Sequence, residues 1–386
     1  MSELKVNSIK GVGASTAAIT VNNTDGTCTA NVTNNLSNRN AIINGAMQIS
    51  QRSTSVSVSN TVRGYQTLDR FEYNIHGTIT NVMTMEQSSD SPDGFSNSLK
   101  FSTTTADASL TGTQANYLTT ELEGQNVQQL AYGTSSAKSF TLSFYVKGTI
   151  TGTYVVWFYA PDTGKALTKY YTISSANTWE RKTITVAGDT ASAIANDNGS
   201  GIMIRWILGT GPDYSSGTAS TTWSTNGYTN VNRYVGQTAN VAATTSDNWA
   251  LTGVQLEVGS VATDFEHRSF GQELALCQRY YVVLCHQNDG IGQSVCNLAQ
   301  YSASTAHGVV HFPVEMRAKP SFAATSGGGY YIAYGSGAGQ GFDAFNLQRS
   351  SLLTAEVSTS ISRTLGHAIF VRTNVNGARL AFSAEL

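Results

Sequence analysis

Two runs of alternating side chains limit what this chain can fold into. Phe140, Leu142, Phe144 and Val146 alternate with Thr141, Ser143, Tyr145 and Lys147, and Ile202, Ile204, Trp206 and Leu208 alternate with Met203, Arg205 and Ile207. A period of two places each set on one face of an extended strand, so these runs predict strands with a buried apolar face. Further strand-like segments cover residues 70–74, 79–86, 98–101, 117–122, 154–159, 170–173 and 181–186. Pro92-Asp93-Gly94, Asp162-Thr163-Gly164 and Asn198-Gly199 supply turn chemistry between them. Many short strands at regular spacing predict an all-β sandwich or jelly roll.

Composition narrows the function classes. Only 12% of residues are charged while 10% are aromatic, the opposite of the balance that keeps a chain disordered. The 386 residues suffice for two or three domains and a sizeable core. The formal net charge is −2 and no basic stripe is visible, which argues against a nucleic-acid partner. No apolar run is long enough to cross a bilayer, and MSELKVNSIKG lacks the apolar core of a signal peptide. The expectation is therefore synthesis in the cytoplasm without membrane insertion. Cys28, Cys277, Cys285 and Cys296 form no Cys-x-x-Cys pair and are expected to be mostly buried, inert thiols.

Four segments follow in order. Residues 1–40 carry short strand-like patches of small residues that can bury little alone, and read as an attachment or oligomerisation segment. Residues 41–266 read as the large sandwich. It ends in a strand over 250–258, with Ala250, Thr252, Val254, Leu256 and Val258 expected on one face and Gln255 and Glu257 on the other. Residues 267–282 read as a linking α-helix. Ser269 is its cap with Gln272 at the reciprocal position, and Phe270, Leu274, Cys277 and Tyr281 form its expected stripe. Residues 283–386 read as a smaller β domain and candidate recognition tip. Residues 209–248 form a long Gly-, Ser-, Thr- and Asn-rich loop region with Tyr214, Trp223, Tyr228 and Tyr234, and loops of that length are usually functional or mobile.

The stretch Val254 to Tyr281 resembles a segment of tail-fibre and receptor-binding proteins of tailed bacteriophages. The matching residues are Thr252-Gly253-Val254-Gln255-Leu256-Glu257-Val258-Gly259, then Ala262-Thr263-Asp264-Phe265-Glu266-His267-Arg268-Ser269-Phe270-Gly271 and Glu273-Leu274-Ala275-Leu276-Cys277-Gln278-Arg279-Tyr280-Tyr281. Ile43-Asn44-Gly45-Ala46-Met47-Gln48-Ile49-Ser50-Gln51-Arg52 is similar to that family's opening, and Leu68-Asp69-Arg70-Phe71 is similar to another of its strings, with Phe where the family has Trp. The likeness spans roughly residues 40–282. It implies a jelly-roll-like sandwich akin to carbohydrate-binding modules, a homotrimer, docking to other virion proteins through residues 1–40, and a place in the virion.

Glycan binding needs exposed rings for sugar C–H faces and polar groups that match hydroxyls. Two clusters offer this: Tyr330, Tyr331 and Tyr334 between glycine runs, and Tyr214, Trp223 and Tyr228 in the long loop. The ligand-binding candidates are Tyr330, Tyr331, Tyr334, Trp223 and Tyr228. The plainer reading packs these rings against neighbouring subunits. Glycoside hydrolysis needs two facing carboxylates. Asp69/Glu72, Glu121/Glu123 and Asp264/Glu266 are available, but neighbouring Arg and His residues more often make such acids structural. The dispersed His286, Cys296, His307 and His311 do not meet zinc spacing rules. Calcium on Asp69, Asp93 or Asp162 stays open. The expectation is no catalytic residue, no metal site and no cofactor.

The leading reading is a non-enzymatic tail fibre that attaches to a host-surface glycan. A non-binding structural virion component and a polysaccharide depolymerase are the alternatives.

Overall fold

The computed structural model describes residues 7–10, 12, 18–21, 24, 28–30, 38–285 and 290–386. Most of segment 1–40, and His286, lie outside the described residues. Within that segment, Ser8–Ile9, Ile19–Val21 and Cys28–Ala30 pair as a small antiparallel sheet.

The predicted all-β sandwich is what forms. One sheet has five strands in the order Lys165–Ile173, Gly152–Ala160, Ser200–Thr210, Ala115–Glu123 and Glu72–His76. The facing sheet has six, in the order Glu180–Val186, Phe140–Gly148, Asn248–Val258, Ser98–Thr105, Val82–Ser88 and Ser55–Val58. All pairings within both are antiparallel, and the chain crosses repeatedly from one sheet to the other, as in a jelly roll. Both alternating runs point inward as expected: Phe140, Leu142, Phe144 and Val146 meet Ile202, Ile204, Trp206 and Leu208 in one core. The Phe144 ring stands at 90° to Trp206 and 86° to Tyr171, and Trp249 Nε1 donates to the Tyr171 hydroxyl at 3.0 Å.

The strand Asn248–Val258 departs from the simple alternation. Gly253 takes φ +60°, and the pairing with Phe140–Gly148 shifts register between Thr252 and Gln255. This bulge changes which residues face inward. Trp249 and Leu251 enter the core before it, Val254 and Leu256 after it, and Val258 ends exposed. Ala250 and Thr252 thus do not share the face of Val254 and Leu256.

The α-helix Phe270–Gln278 starts where expected, with the Ser269–Gln272 capping box formed. Its buried side is only partly the expected stripe. Glu273, Cys277 and Tyr280 face inward, whereas Phe270 is 60% exposed, Leu274 is half-buried and Tyr281 already belongs to the strand Tyr281–Cys285. Glu273 faces inward because it has partners there: the Asn44 amide donates to it, and Arg268 lies 3.4 Å away. Counting only apolar residues therefore found Cys277 and missed Glu273. Burial, reinforced by nearby Asp69, pushes the Cys277 thiol well above its usual range.

After the helix, two sheets enclose a second core. Tyr281–Cys285, Leu380–Ser383 and Ser321–Phe322 form one. The other has seven strands: Ala338–Phe342, Tyr331–Gly335, Ala368–Thr373, Ser294–Gln300, Thr305–His311, Thr354–Ser360 and Asn346–Ser350. The Gly-rich stretch after Tyr334 is a hairpin, with Ser336 and Gly337 at positive φ in a two-residue turn.

The segments around residues 38–52 and 252–281 bind one another. Glu266 accepts from the amides of Asn38 and Asn40, and Arg268 donates to the carbonyls of Asn40 and Ile42. A Cβ on Gly45 would lie 2.1 Å from the Val254 carbonyl oxygen. Arg52 stacks over Tyr281 at 3.5 Å and Arg70 over Tyr280 at 3.5 Å. These residues hold the sandwich, the helix and the C-terminal strands together.

Candidate functional site

The two expected tyrosine clusters divide. The strand Tyr331–Gly335 alternates, so Tyr331 and Tyr334, three apart, cannot share a face. Tyr331 is fully buried, stacked on Phe342, with its hydroxyl donating to the Arg379 carbonyl at 2.8 Å. This corrects its place among the ligand-binding candidates: it has no face to offer. Tyr330 packs beside it at the core edge, half-buried. Tyr334 lies on the other face, stacked on Phe370 at 5.4 Å with Arg372 above both rings. Trp223 is half-buried against the core edge, edge-on to Tyr132 and donating to the Ala187 carbonyl at 3.1 Å.

Tyr228 joins a larger constellation on the outer face of the five-stranded sheet. Strand register builds it in rows. Trp157, Arg205, Thr119 and Glu72 lie side by side on four neighbouring strands, and Tyr159, Met203 and Glu121 form the next row. The loop between Thr210 and Asn248 folds over one edge. The Ala166 amide donates to the Ser224 carbonyl at 2.9 Å, the Thr168 amide to Ser220 at 2.7 Å, and the Trp157 indole to Gly227 at 3.1 Å. That brings Tyr228 onto Tyr159, ring centroids 4.5 Å apart and 20° from parallel, with Trp157 fully buried beneath. Tyr228 remains 41% exposed.

Charged groups ring these aromatics. Arg233 sits 4.5 Å over Tyr228, and Arg205 sits 4.4 Å over Tyr117 and 5.1 Å over Trp157. Arg205 donates to the Tyr234 hydroxyl, but its buried Nε has no partner. Burial, reinforced by Glu121 and only partly offset by Arg205, raises the Glu72 carboxyl to about 7. No described residue donates a hydrogen bond to the Glu121 side chain. His76 is lowered to about 4 by burial and then by Arg205 and Arg233, so it stays neutral near pH 7. The surface combines flat rings, two guanidiniums and two carboxylates, groups suited to sugar C–H faces and hydroxyls.

In each carboxylate pair read from spacing, at least one acid is engaged by structural partners: Asp69, Glu123 and Glu266. Asp69 is buried among Gln51 and Arg52, and burial raises it to about 6 despite Arg52. Burial pushes Glu123 up, but hydrogen bonds from Arg279 at 2.8 and 2.9 Å and from Tyr280 outweigh this and hold it low. Glu72 and Glu121 instead lie on neighbouring strands of one face, near enough for Glu121 to help raise Glu72. Among the described residues, no three His, Cys, Asp or Glu side chains gather as a metal site.

No family model matches this chain, and no curated protein matches it. Similar solved structures include the enzymatically active domain of bacteriophage CBA120 tailspike protein 4, at TM-score 0.30 and 14% identity, covering 57% of this chain and 21% of that one. TmCBM61 bound to β-1,4-galactotriose aligns at TM-score 0.28 and 9% identity, covering 57% and 99%. The family 11 carbohydrate-binding module of Clostridium thermocellum Lic26A-Cel5E aligns at 0.27 and 11%, covering 56% and 100%. Likeness this distant leaves the site to be judged on its own side chains.

Proposed function

We propose that this chain binds glycan without cleaving it, through the outer face of the five-stranded sheet, as a multi-copy attachment fibre of a phage virion. The stack of Tyr228 on Tyr159, flanked by Arg205, Arg233, Glu72 and Glu121, carries the binding half of this reading. An ordinary solvated sheet face presents scattered hydroxyls and amides instead of a ring platform. The phage-fibre resemblance of residues 40–282 supports the virion half, with residues 1–40 as the docking segment and a homotrimer as the assembly. Exposed Tyr301, Val309 and Phe370 on the seven-stranded sheet offer apolar surface for packing between copies. Three weak sites on one particle gain avidity, so each can bind poorly alone.

Screening the protein against neutral bacterial surface oligosaccharides tests the binding half. Tyr159→Ala and Tyr228→Ala should each weaken the best ligand about tenfold, equivalent to about 1.4 kcal/mol. Unchanged affinity in both would remove the sheet face. Density of an intact virus that locates residues 1–40 on the particle tests the virion half.

One observation favours a second reading. The raised Glu72 beside Glu121 is an acid–carboxylate pair of the kind glycosidases use. Release of reducing ends from the bound glycan, abolished by Glu72→Gln, would make the chain a depolymerase. No release supports binding alone.

A further inference from the structure

We infer a second, anion-selective site at the junction of the sandwich and the C-terminal sheets, shaped for an acidic sugar unit. A cavity of about 500 Å³ opens there, within the range of about 300–1,000 Å³ typical of small-ligand sites. The sandwich contributes Arg52, Arg63 and Tyr65, and the C-terminal strands contribute Tyr281 and Arg379. Val56 and Ala323 add apolar wall, and Ser53, Gln66 and Ser383 add hydroxyl and amide groups.

The charge balance points to an oxyanion. Arg52 has carboxylates to face, Glu385 at 3.1 Å and Asp69 at 3.6 Å, but Glu385 is shared with the buried Arg70. Arg63 and Arg379 make no ion pair with a described residue, and Glu72 acts on Arg63 only at longer range. Three guanidiniums thus border one cavity while the nearby carboxylates are engaged behind it. The wall also holds two buried polar atoms without hydrogen-bond partners, Arg379 Nε and the Tyr65 hydroxyl. Buried polar groups are normally satisfied, so their concentration at one cavity is informative. Guanidiniums pair with planar carboxylates or phosphates, while the apolar wall and the hydroxyl and amide groups suit a pyranose ring.

Ligand-observed NMR on the full chain tests this with glucuronate, glucose 6-phosphate, glucose and inorganic phosphate. A sugar acid should bind at least tenfold more tightly than glucose, and the tighter of glucuronate and glucose 6-phosphate identifies the oxyanion. Arg63→Gln, at an exposed position, and Arg379→Gln should each weaken that binding about tenfold with an unchanged melting temperature. Tyr159→Ala, in the separate sheet-face site, should leave it unaltered. Equal binding of glucose and the sugar acids, no binding of either, inorganic phosphate competing as well as a sugar acid, or full binding by both arginine variants would overturn the assignment.

Discussion

Tyr331 and Tyr334 show how much rests on which face a side chain takes. Tyr331 fills the C-terminal core, so Tyr331→Ala should cost about 3–5 kcal/mol in a denaturant titration. Tyr334→Ala, on the outer face, should stay within about 1 kcal/mol. Equal effects would place the two rings in the same environment, against the alternation seen. The distinction was legible in the sequence, because residues three apart on a strand point oppositely; the glycines around them concealed it by suggesting a loop. Glu72 gives a pH test. Its folded value of about 7 lies above its ordinary 4.5, so the folded state holds the extra proton between these limits. Stability from this group is therefore full below about pH 4.5 and falls as pH rises to 7. Asp69 acts in the same direction and His76 in the opposite one, so the readout is a difference between proteins. Glu72→Gln should gain about 1–3 kcal/mol relative to the parent between pH 4.5 and 7.5. A constant difference across that range would contradict the shift.

Single elements depart from simple periodicity where a specific contact overrides it. In the strand Asn248–Val258, Gly253 occupies φ +60°, and an added Cβ would meet Phe95 at 2.8 Å and Tyr145 at 2.9 Å. Gly253→Val should cost about 2–3 kcal/mol, from backbone strain and from displaced rings. Measured stability within about 0.5 kcal/mol of the parent would mean the bulge is not required. A glycine inside a strand pattern was the available sign of that bulge. The helix was legible in its cap and in buried Cys277, but not in buried Glu273, since the partners of Glu273 are Asn44 and Arg268, and Asn44 lies far away in sequence. The candidate site was legible in still smaller part. Tyr228 stood out, and Arg205 fell on the outward set of its strand. Trp157, Tyr159, Glu72 and Glu121 reach it only through strand order, which spacing along one chain does not encode.

At the scale of the whole molecule, a few arginines join the sandwich to the C-terminal strands. Arg70, 1% exposed, pairs with Glu385 and stacks on Tyr280, while Arg317 donates to the carbonyls of Asn198, Ala384 and Glu385. Glu385→Ala leaves a buried guanidinium without its carboxylate and should cost about 3 kcal/mol, read as a lower unfolding midpoint. An unchanged midpoint would mean that this ion pair contributes nothing to joining sandwich and C-terminal sheets. The ring platform of Tyr228 and Tyr159 lies on the opposite face of its sheet from the sandwich core. The most direct test is NMR chemical-shift mapping of the full chain with the neutral oligosaccharide that binds best. The largest shifts should fall on Tyr159, Tyr228, Arg205 and Glu72; shifts confined to Tyr334, Phe370 and Arg372, with the sheet face silent, would contradict the assignment.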